Sequence, residues 1–493
     1  MTLNTRFSNR IISYIGVTAI CLLGLSSYWL LHSTPTADAA IHFPLDSDRP
    51  SYPYDQNSST IGDDNTKTTS PYTHLGFDDL VGGEDVQVVF KTGATEILDK
   101  LPVHFVTTLT HVPKSLFFSD IDQVLGDYIV YDSLDEIDEQ MKAENRDFEL
   151  YRQLKKLMPL RQDPKRLKLK GGWELDKYKN VHILQKTYRI NPNAKWYIFI
   201  DADTYVVWPN LLRWLKTLDH TNPLYMGSPT YVGDVEFGHG GTGYILSQGA
   251  IQKTVAIDPD FASKYELDAS RSCCGDHILG KSMLDNGIHL TRSWPKLNGE
   301  PPYLIPFTDE QWCQPIVTLH HMLPVDIQDM WEFERENATA QVRLFLVLLG
   351  FNFRWAGTKS SNLQRPIIYA DVFEHFIQPF LVAERDDWWN QSNDWEYTTE
   401  VKWDPQEHGD TKWSELTPIE QNAHVSFENC KAACEENPKC YQFMLEDATC
   451  SLSRKVKLGW KETEGTENVK SGWLLDRIKT LRESKNPCGR EGW

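Results

Sequence analysis

The amino-acid sequence predicts an α/β protein with a small second module, on three observations. Apolar runs of strand length alternate with polar and helical stretches from Val86 onward. One of these runs, Trp196–Ile200, leads straight into two carboxylates, Asp201 and Asp203. A cysteine-rich stretch near the C-terminus marks the second module.

The elements follow in chain order. Residues 1–10 form a short tail carrying Arg6 and Arg10, and residues 11–31 run for 21 positions without a charge. That length matches the roughly 20 residues that span a bilayer as a helix. Asp38, Asp46 and Asp48 follow, so the charge asymmetry expects a cytoplasmic tail and a lumenal body, the type II orientation. Ala37-Asp38-Ala39 resembles a signal-peptidase site, but the apolar run exceeds the usual ~7–15 residues of a signal peptide, which favours an anchor. Residues 32–83, rich in Ser, Thr, Pro and Asp, read as a flexible stem.

The main α/β domain is expected over 84–383. Its apolar runs are VQVVF, VHFVTTL, SLFF, YIVY, WYIFI and IVTL, with helices across Glu136–Met158 and near Asn210–Leu218. Residues 384–417 hold five tryptophans among many acids, a connector or a surface for stacking sugar faces. The last module spans 418–493. At 493 residues the chain accommodates more than one core, since single cores stop growing near about 250–300 residues.

A net charge of −19, from 50 Lys and Arg against 69 Asp and Glu, argues against nucleic acid as a partner. The basic stretch Arg152–Lys170 either steers a diphosphate or forms a solvated face. Eight cysteines lie beyond residue 270, an even number that suits an oxidising lumen, and sequons stand at Asn57, Asn337 and Asn390.

The carboxylate pair is the sharpest chemical signal. Ligands of open α/β sheets bind beyond the carboxyl ends of strands, and divalent cations need clustered oxygen ligands that leave room for phosphate oxygens. Asp201 and Asp203 meet both demands. Gly275–Ser282 also fits the pattern of a phosphate-binding loop, G-x-x-x-x-G-K-[ST]. The preceding SKYELDASRSCC is polar and unlike a strand, so the match is set aside.

FIDADTYV, GHGGTGYILS at 238–247 and CCGDHILG at 273–280, in that order, resemble glycosyltransferase family 31, which includes Fringe and the core 1 β1,3-galactosyltransferases. The likeness covers most of residues 86–335. It implies a Rossmann-like GT-A fold and an inverting, metal-dependent hexosyltransferase in the Golgi or endoplasmic reticulum lumen. The donor would be a UDP-sugar, with galactose in β1,3 linkage to a glycan or glycoprotein acceptor, and Mn²⁺ or another divalent cation would be the cofactor. Carried over by position, Asp203 would bind the metal, Asp201 the metal or the donor ribose, and His320 or His321 would complete the metal shell. Asp120 would lie near the nucleotide, Gly240 and Gly241 would let backbone approach the donor, and Asp276 would be the general base. Family members often carry an acid just before the base, where this chain has Gly275. That departure keeps a second reading open, a non-catalytic glycan-binding or chaperone-like protein with the same fold.

SFENCKAACEENPKCYQFMLEDATCSLS resembles the PAN/Apple module. The resemblance implies bridges Cys430–Cys450 and Cys434–Cys440, with a protein or carbohydrate ligand. It assigns no partner to Cys273, Cys274, Cys313 or Cys488.

Overall fold

Strands that are apolar at every position are those covered on both faces. The computed structural model of the protein describes residues 82–348, 365–461, 468–485 and 488. The main domain holds β1 (Val86–Lys91), β2 (Ser115–Ser119), β3 (Gln123–Leu125), β4 (Tyr128–Asp132), β5 (Trp196–Asp201), β6 (Tyr205–Val206), β7 (Tyr225–Gly227), β8 (Pro229–Val232), β9 (Val235–Gly238), β10 (Tyr244–Ser247), β11 (Leu290–Arg292) and β12 (Thr318–Leu319). Eight of them form one mixed sheet in the order β11-β7-β10-β5-β1-β2-β4-β3. β4, β2, β1 and β5 run parallel, and β10 enters antiparallel beside β5. This sheet fits a Rossmann-like domain.

Period-two alternation divides each strand between two cores. Trp196, Ile198 and Ile200 of β5 face one core, built around the helix Trp208–Leu215. Tyr197 and Phe199 face the other, built around the helices Lys179–Ile190 and Gly275–Asp285. Each such side chain, fully buried, contributes about 1.5–3 kcal/mol, so both faces hold the strand ends in place.

Three expectations change. VHFVTTL is not a strand: Pro102 opens a helix, Pro102–Val106, and His104 bonds Thr108 four residues on, at 3.0 Å. The helix expected over Glu136–Met158 is broken at Asn145, whose extended backbone (ψ 130°) ends Glu139–Glu144 before Glu149–Leu157 begins. The helix Pro324–Leu348 had no sequence expectation. The anchor at 11–31 and the stem to residue 81 lie outside the described residues. Among the described residues no helix is long and apolar enough to cross a membrane.

Pro324–Leu348 carries a carboxyl into the core behind the site. Glu334 is buried and accepts the Tyr205 hydroxyl at 2.8 Å. Burial pushes its pKa to about 8, against the opposing influence of that hydrogen bond and of Arg213. The unfolded carboxyl titrates near 4.5, so between there and about 8 the folded state holds a proton that the unfolded state has lost. Stability is therefore full below the lower value and falls as pH rises through the window, by at most about 1.4 kcal/mol per pH unit. Thermal melts from pH 5 to 8 should show this decline in the wild type and a flatter profile in Glu334→Gln. Equal slopes would remove Glu334 as its source.

The C-terminal region adds β13 (Glu384–Asp386), β14 (Trp388–Trp389), β15 (Trp395–Tyr397), β16 (Gln442–Glu446), β17 (Thr449–Ser453), β18 (Trp460–Lys461) and β19 (Lys470–Trp473). Five form an antiparallel sheet, β13-β19-β16-β17-β15. The Trp-rich segment read as a connector thus supplies both edge strands. Asp447 and Ala448, with φ of 43° and 60°, make the two-residue turn between β16 and β17. The helix Phe427–Glu436 covers one face of the sheet, with Cys430 bonded to Cys450 and Cys434 to Cys440. Cys313 pairs with Cys488 across 175 positions, and Val456, Leu458, Trp473 and Ile478 share a core with Phe307, Trp312 and Phe373, fastening this region to the main domain.

Asn390 of the sequon is fully buried, and its amide donates to the Phe443 carbonyl at 3.0 Å. A glycan there is incompatible with this fold.

Candidate functional site

β2, β1 and β5 are adjacent and parallel, so their carboxyl ends converge where ligands of such sheets bind. Strand pairing sets Lys91 opposite Asp201. The Lys91 ammonium donates to both oxygens of Asp176 at 2.9 and 2.8 Å and lies 3.2 Å from Asp201. Lys179 stands 2.7 Å from Asp120 and 3.6 Å from Asp176. The result is a chain of alternating charge, Asp120, Lys179, Asp176, Lys91, Asp201. Burial alone would lower the Lys91 pKa, but Asp176 and Asp201 outweigh it and hold the ammonium well above its ordinary value. Removing one member of such a buried pair costs about 3–5 kcal/mol, because the other charge is left uncompensated.

Asp120, expected near a nucleotide, is 0% exposed. One of its oxygens accepts the Ala94 N–H at 2.7 Å and the other meets Lys179. It organises the loop after β1 and offers no free edge to a ligand.

Asp203 occupies a second cluster. β6 pairs with β12, Tyr205 opposite Leu319, so the residues following β12 arrive beside those preceding β6. His320 Nε2 lies 3.3 Å from one Asp203 oxygen, and Lys100 Nζ lies 3.1 Å from the other. His321 has φ of 58°, a left-handed turn, and its ring lies 3.9 Å from that of His320. Ligand atoms of Asp203, His320 and His321 all fall within 4.8 Å of one another. Burial alone would raise the Asp203 pKa, but the His320 and Lys100 contacts outweigh it and hold the carboxyl well below its usual range.

The donor set fits a transition-metal cation, with one carboxylate and two imidazoles. His320 Nδ1 is buried without a hydrogen-bond partner, and burial lowers the His321 pKa, favouring the neutral form a metal requires. Both histidines join this trio, whereas Asp201 stays outside it against Lys91.

The glycine run joins the clusters. The Gly240 N–H donates to Asp276 at 2.7 Å. A Cβ on Gly241 would sit 2.1 Å from the His320 ring, so only glycine lets the loop pass. Thr204 Oγ1 donates to the Gly241 carbonyl at 2.8 Å, and Thr318 Oγ1 to that of Thr242 at 2.6 Å, pinning the run over both strands.

Asp276 lies in the first turn of the helix Gly275–Asp285, half-buried, and its second oxygen accepts the His277 N–H at 2.8 Å. Gly275 has a steric explanation: a Cβ there would lie 2.7 Å from Asn180 Oδ1 and 2.8 Å from the Asp176 carbonyl. The departure that motivated a non-catalytic reading thus reflects close helix packing. Cys273 and Cys274, joined by a disulfide, immediately precede this turn. Lys281, the lysine of the phosphate-loop pattern, engages Asp285 at 2.6 Å and Asp268 at 3.3 Å instead.

Sequence reasoning left several site residues unassigned. Lys91 had a signal, a lysine closing an apolar strand, but Asp176 and Lys179 had none. His104 is buried beneath the carboxylate pair, with Nε2 2.9 Å from the Ala202 carbonyl, and burial lowers its pKa to about 4. His239 stands between the clusters, its ring 5.9 Å from that of His320.

Fold and site define the class: a Rossmann-like domain with its chemistry at the carboxyl ends of parallel strands. Residues 161–283 match the family model described as Fringe-like, a glycosyltransferase family, and the match supports a glycosyltransferase. It includes Asp201, Asp203, Gly240, Gly241 and Asp276 and excludes Lys91, Asp120, His320 and His321. No curated protein matches the chain significantly.

Proposed function

We propose that the protein is an inverting, metal-dependent transferase that moves a sugar, galactose in β1,3 linkage, from a UDP-sugar to a glycan acceptor. The observation carrying this reading is the glycine run, which holds Asp276 through the Gly240 N–H while its neighbour Gly241 passes against the His320 ring. Asp203, His320 and His321 would hold a divalent cation such as Mn²⁺, which when bound offsets the charge of a departing diphosphate. Asp276 accepts the proton of the acceptor hydroxyl as that oxygen bonds to the anomeric carbon; the bond from that carbon to the diphosphate breaks, and UDP leaves. The glycine backbone lets the donor approach closely, and Lys91 holds Asp201 in place beside it. The charge asymmetry around residues 11–31 supports a Golgi type II anchor with a lumenal catalytic domain, and the cysteine spacing supports a PAN/Apple-like module.

The test is product formation by the full chain with Mn²⁺, a panel of UDP-sugars and neutral glycan acceptors. Transfer from UDP-galactose is expected and should stop with excess chelator. Acceptor binding without any product would favour the non-catalytic reading.

A further inference from the structure

Three of the four disulfides among the described residues are built into cores. Cys430, Cys434, Cys440 and Cys450 are all 0% exposed, and Cys313 and Cys488 pack against the core that fastens the C-terminal region. The fourth joins neighbours in the chain, Cys273 and Cys274, and there Cys273 is exposed and Cys274 half-buried. A thiolate from solvent therefore reaches this bridge ahead of the others.

The same bridge adjoins the carboxylate proposed as the base. Cys274 has extended backbone, φ −149° and ψ 139°, and directly precedes the 11-residue helix Gly275–Asp285, whose first turn holds Asp276. Ser272 links the two. Its hydroxyl oxygen accepts the Cys274 N–H at 3.3 Å and lies 2.8 Å from His277 Nδ1, while the His277 N–H donates to Asp276 at 2.8 Å. A ring closed through adjacent residues restricts the backbone of both, and so removes conformational freedom from the segment leading into that turn.

We infer that Cys273–Cys274 is a thiol–disulfide exchange site that sets the placement of Asp276, with a dithiol as its reductant. A thiolate of the dithiol attacks the sulfur of Cys273, the exposed residue. A mixed disulfide forms as the bond between the two cysteine sulfurs breaks, and Cys274 Sγ leaves with the electron pair and takes a proton. The second thiol of the reductant then displaces Cys273, so two electrons and two protons pass to the pair and the reductant departs as its own disulfide. Cys274 is the better leaving group, because the N-terminus of a helix stabilises a thiolate. Asp276 opposes that effect, but both its oxygens already accept backbone N–H groups. Opening the ring frees Cys274 and Ser272, whereas Gly275 stays fixed by its close packing on Asn180 and the Asp176 carbonyl. The helix therefore persists while the Ser272–His277 support of the Asp276 carboxylate loosens.

The effect on turnover rests on the transferase reading; the exchange chemistry and the placement of Asp276 do not. The full chain should be titrated with dithiothreitol, with Mn²⁺ in excess so that chelation is not limiting, then alkylated and mapped by peptide mass spectrometry. Cys273 and Cys274 should be labelled before the cysteines of the other three bridges, and the reduced chain, before alkylation, should be captured by immobilised phenylarsine oxide, which binds adjacent thiols. Hydrogen exchange of the Gly240 and His277 amides, both of which Asp276 accepts, should quicken about tenfold. Sugar transfer should fall by about 10–10²-fold with UDP affinity unchanged, and reoxidation should restore both readings. The double variant Cys273→Ser, Cys274→Ser should show the reduced-state exchange and transfer, wild-type UDP affinity and no response to the dithiol. Earlier labelling of another bridge, unchanged exchange at Gly240 and His277, unchanged transfer in the reduced chain, or a dithiol response that survives in the double variant would overturn the inference. An untreated chain that transfers no sugar would sink the transferase reading instead, and labelling with hydrogen exchange would still decide this one.

Discussion

Replacing Asp203 with alanine is expected to abolish sugar transfer and metal binding together while leaving the fold intact. Asp203 is the carboxylate of the trio, so its loss leaves two adjacent imidazoles and no anionic ligand. The same change frees Lys100 of its 3.1 Å contact, which adds positive charge where a cation would bind. Loss of a cation that neutralises a leaving diphosphate removes several kcal/mol of transition-state stabilisation, on the order of 10³-fold in rate or more. The backbone should hold, because the Met322 N–H donates to the Asp203 carbonyl at 3.0 Å and His104 clamps Ala202, and neither contact needs the side chain. Mn²⁺ titration by calorimetry, beside transfer assays and thermal melts, checks all three. A variant that keeps transfer in excess chelator would remove the metal from the reaction.

Asp276→Asn should lower turnover by about 10²–10⁴-fold, the usual contribution of a general base, with donor and metal affinity near wild type. The amide can still accept the Gly240 N–H through its carbonyl oxygen, which keeps the contact to the glycine run while basicity is lost, although its NH2 cannot replace the acceptor that the His277 N–H now uses. Lys281→Ala gives the contrast. Its ammonium pairs at the surface with Asp285 one turn on and with Asp268 of the neighbouring helix Glu266–Arg271, so the substitution should cost only about 0.2–0.5 kcal/mol of stability per pair. Near-normal transfer by Asp276→Asn would remove Asp276 as the base. Collapse of nucleotide binding in Lys281→Ala alone would restore the phosphate-loop reading.

The sequence by itself determined four adjacent strands of the central sheet, β1, β2, β4 and β5, because runs such as Trp196–Ile200 are apolar on both faces and need no partner to be recognised, while β3, β7, β10 and β11 went unmarked. It also exposed Asp201, Asp203, Gly240, Gly241 and Asp276, each set in a local motif. It misread VHFVTTL, where hydrophobicity resembled a strand and Pro102 started a helix. The resemblance already set Asp203 against a metal and left Asp201 between metal and donor ribose; only the tertiary structure gave the two aspartates their separate neighbours. Pairing of β1 with β5 gave Asp201 to Lys91, while pairing of β6 with β12 gave Asp203 to histidines more than a hundred positions away. The charge chain through Asp176 and Lys179, the steric demand at Gly275 and the Cys313–Cys488 bridge were likewise invisible. Local pattern reports the period and burial of a segment, but the partner across a sheet is set by long-range register, which no single stretch of sequence contains.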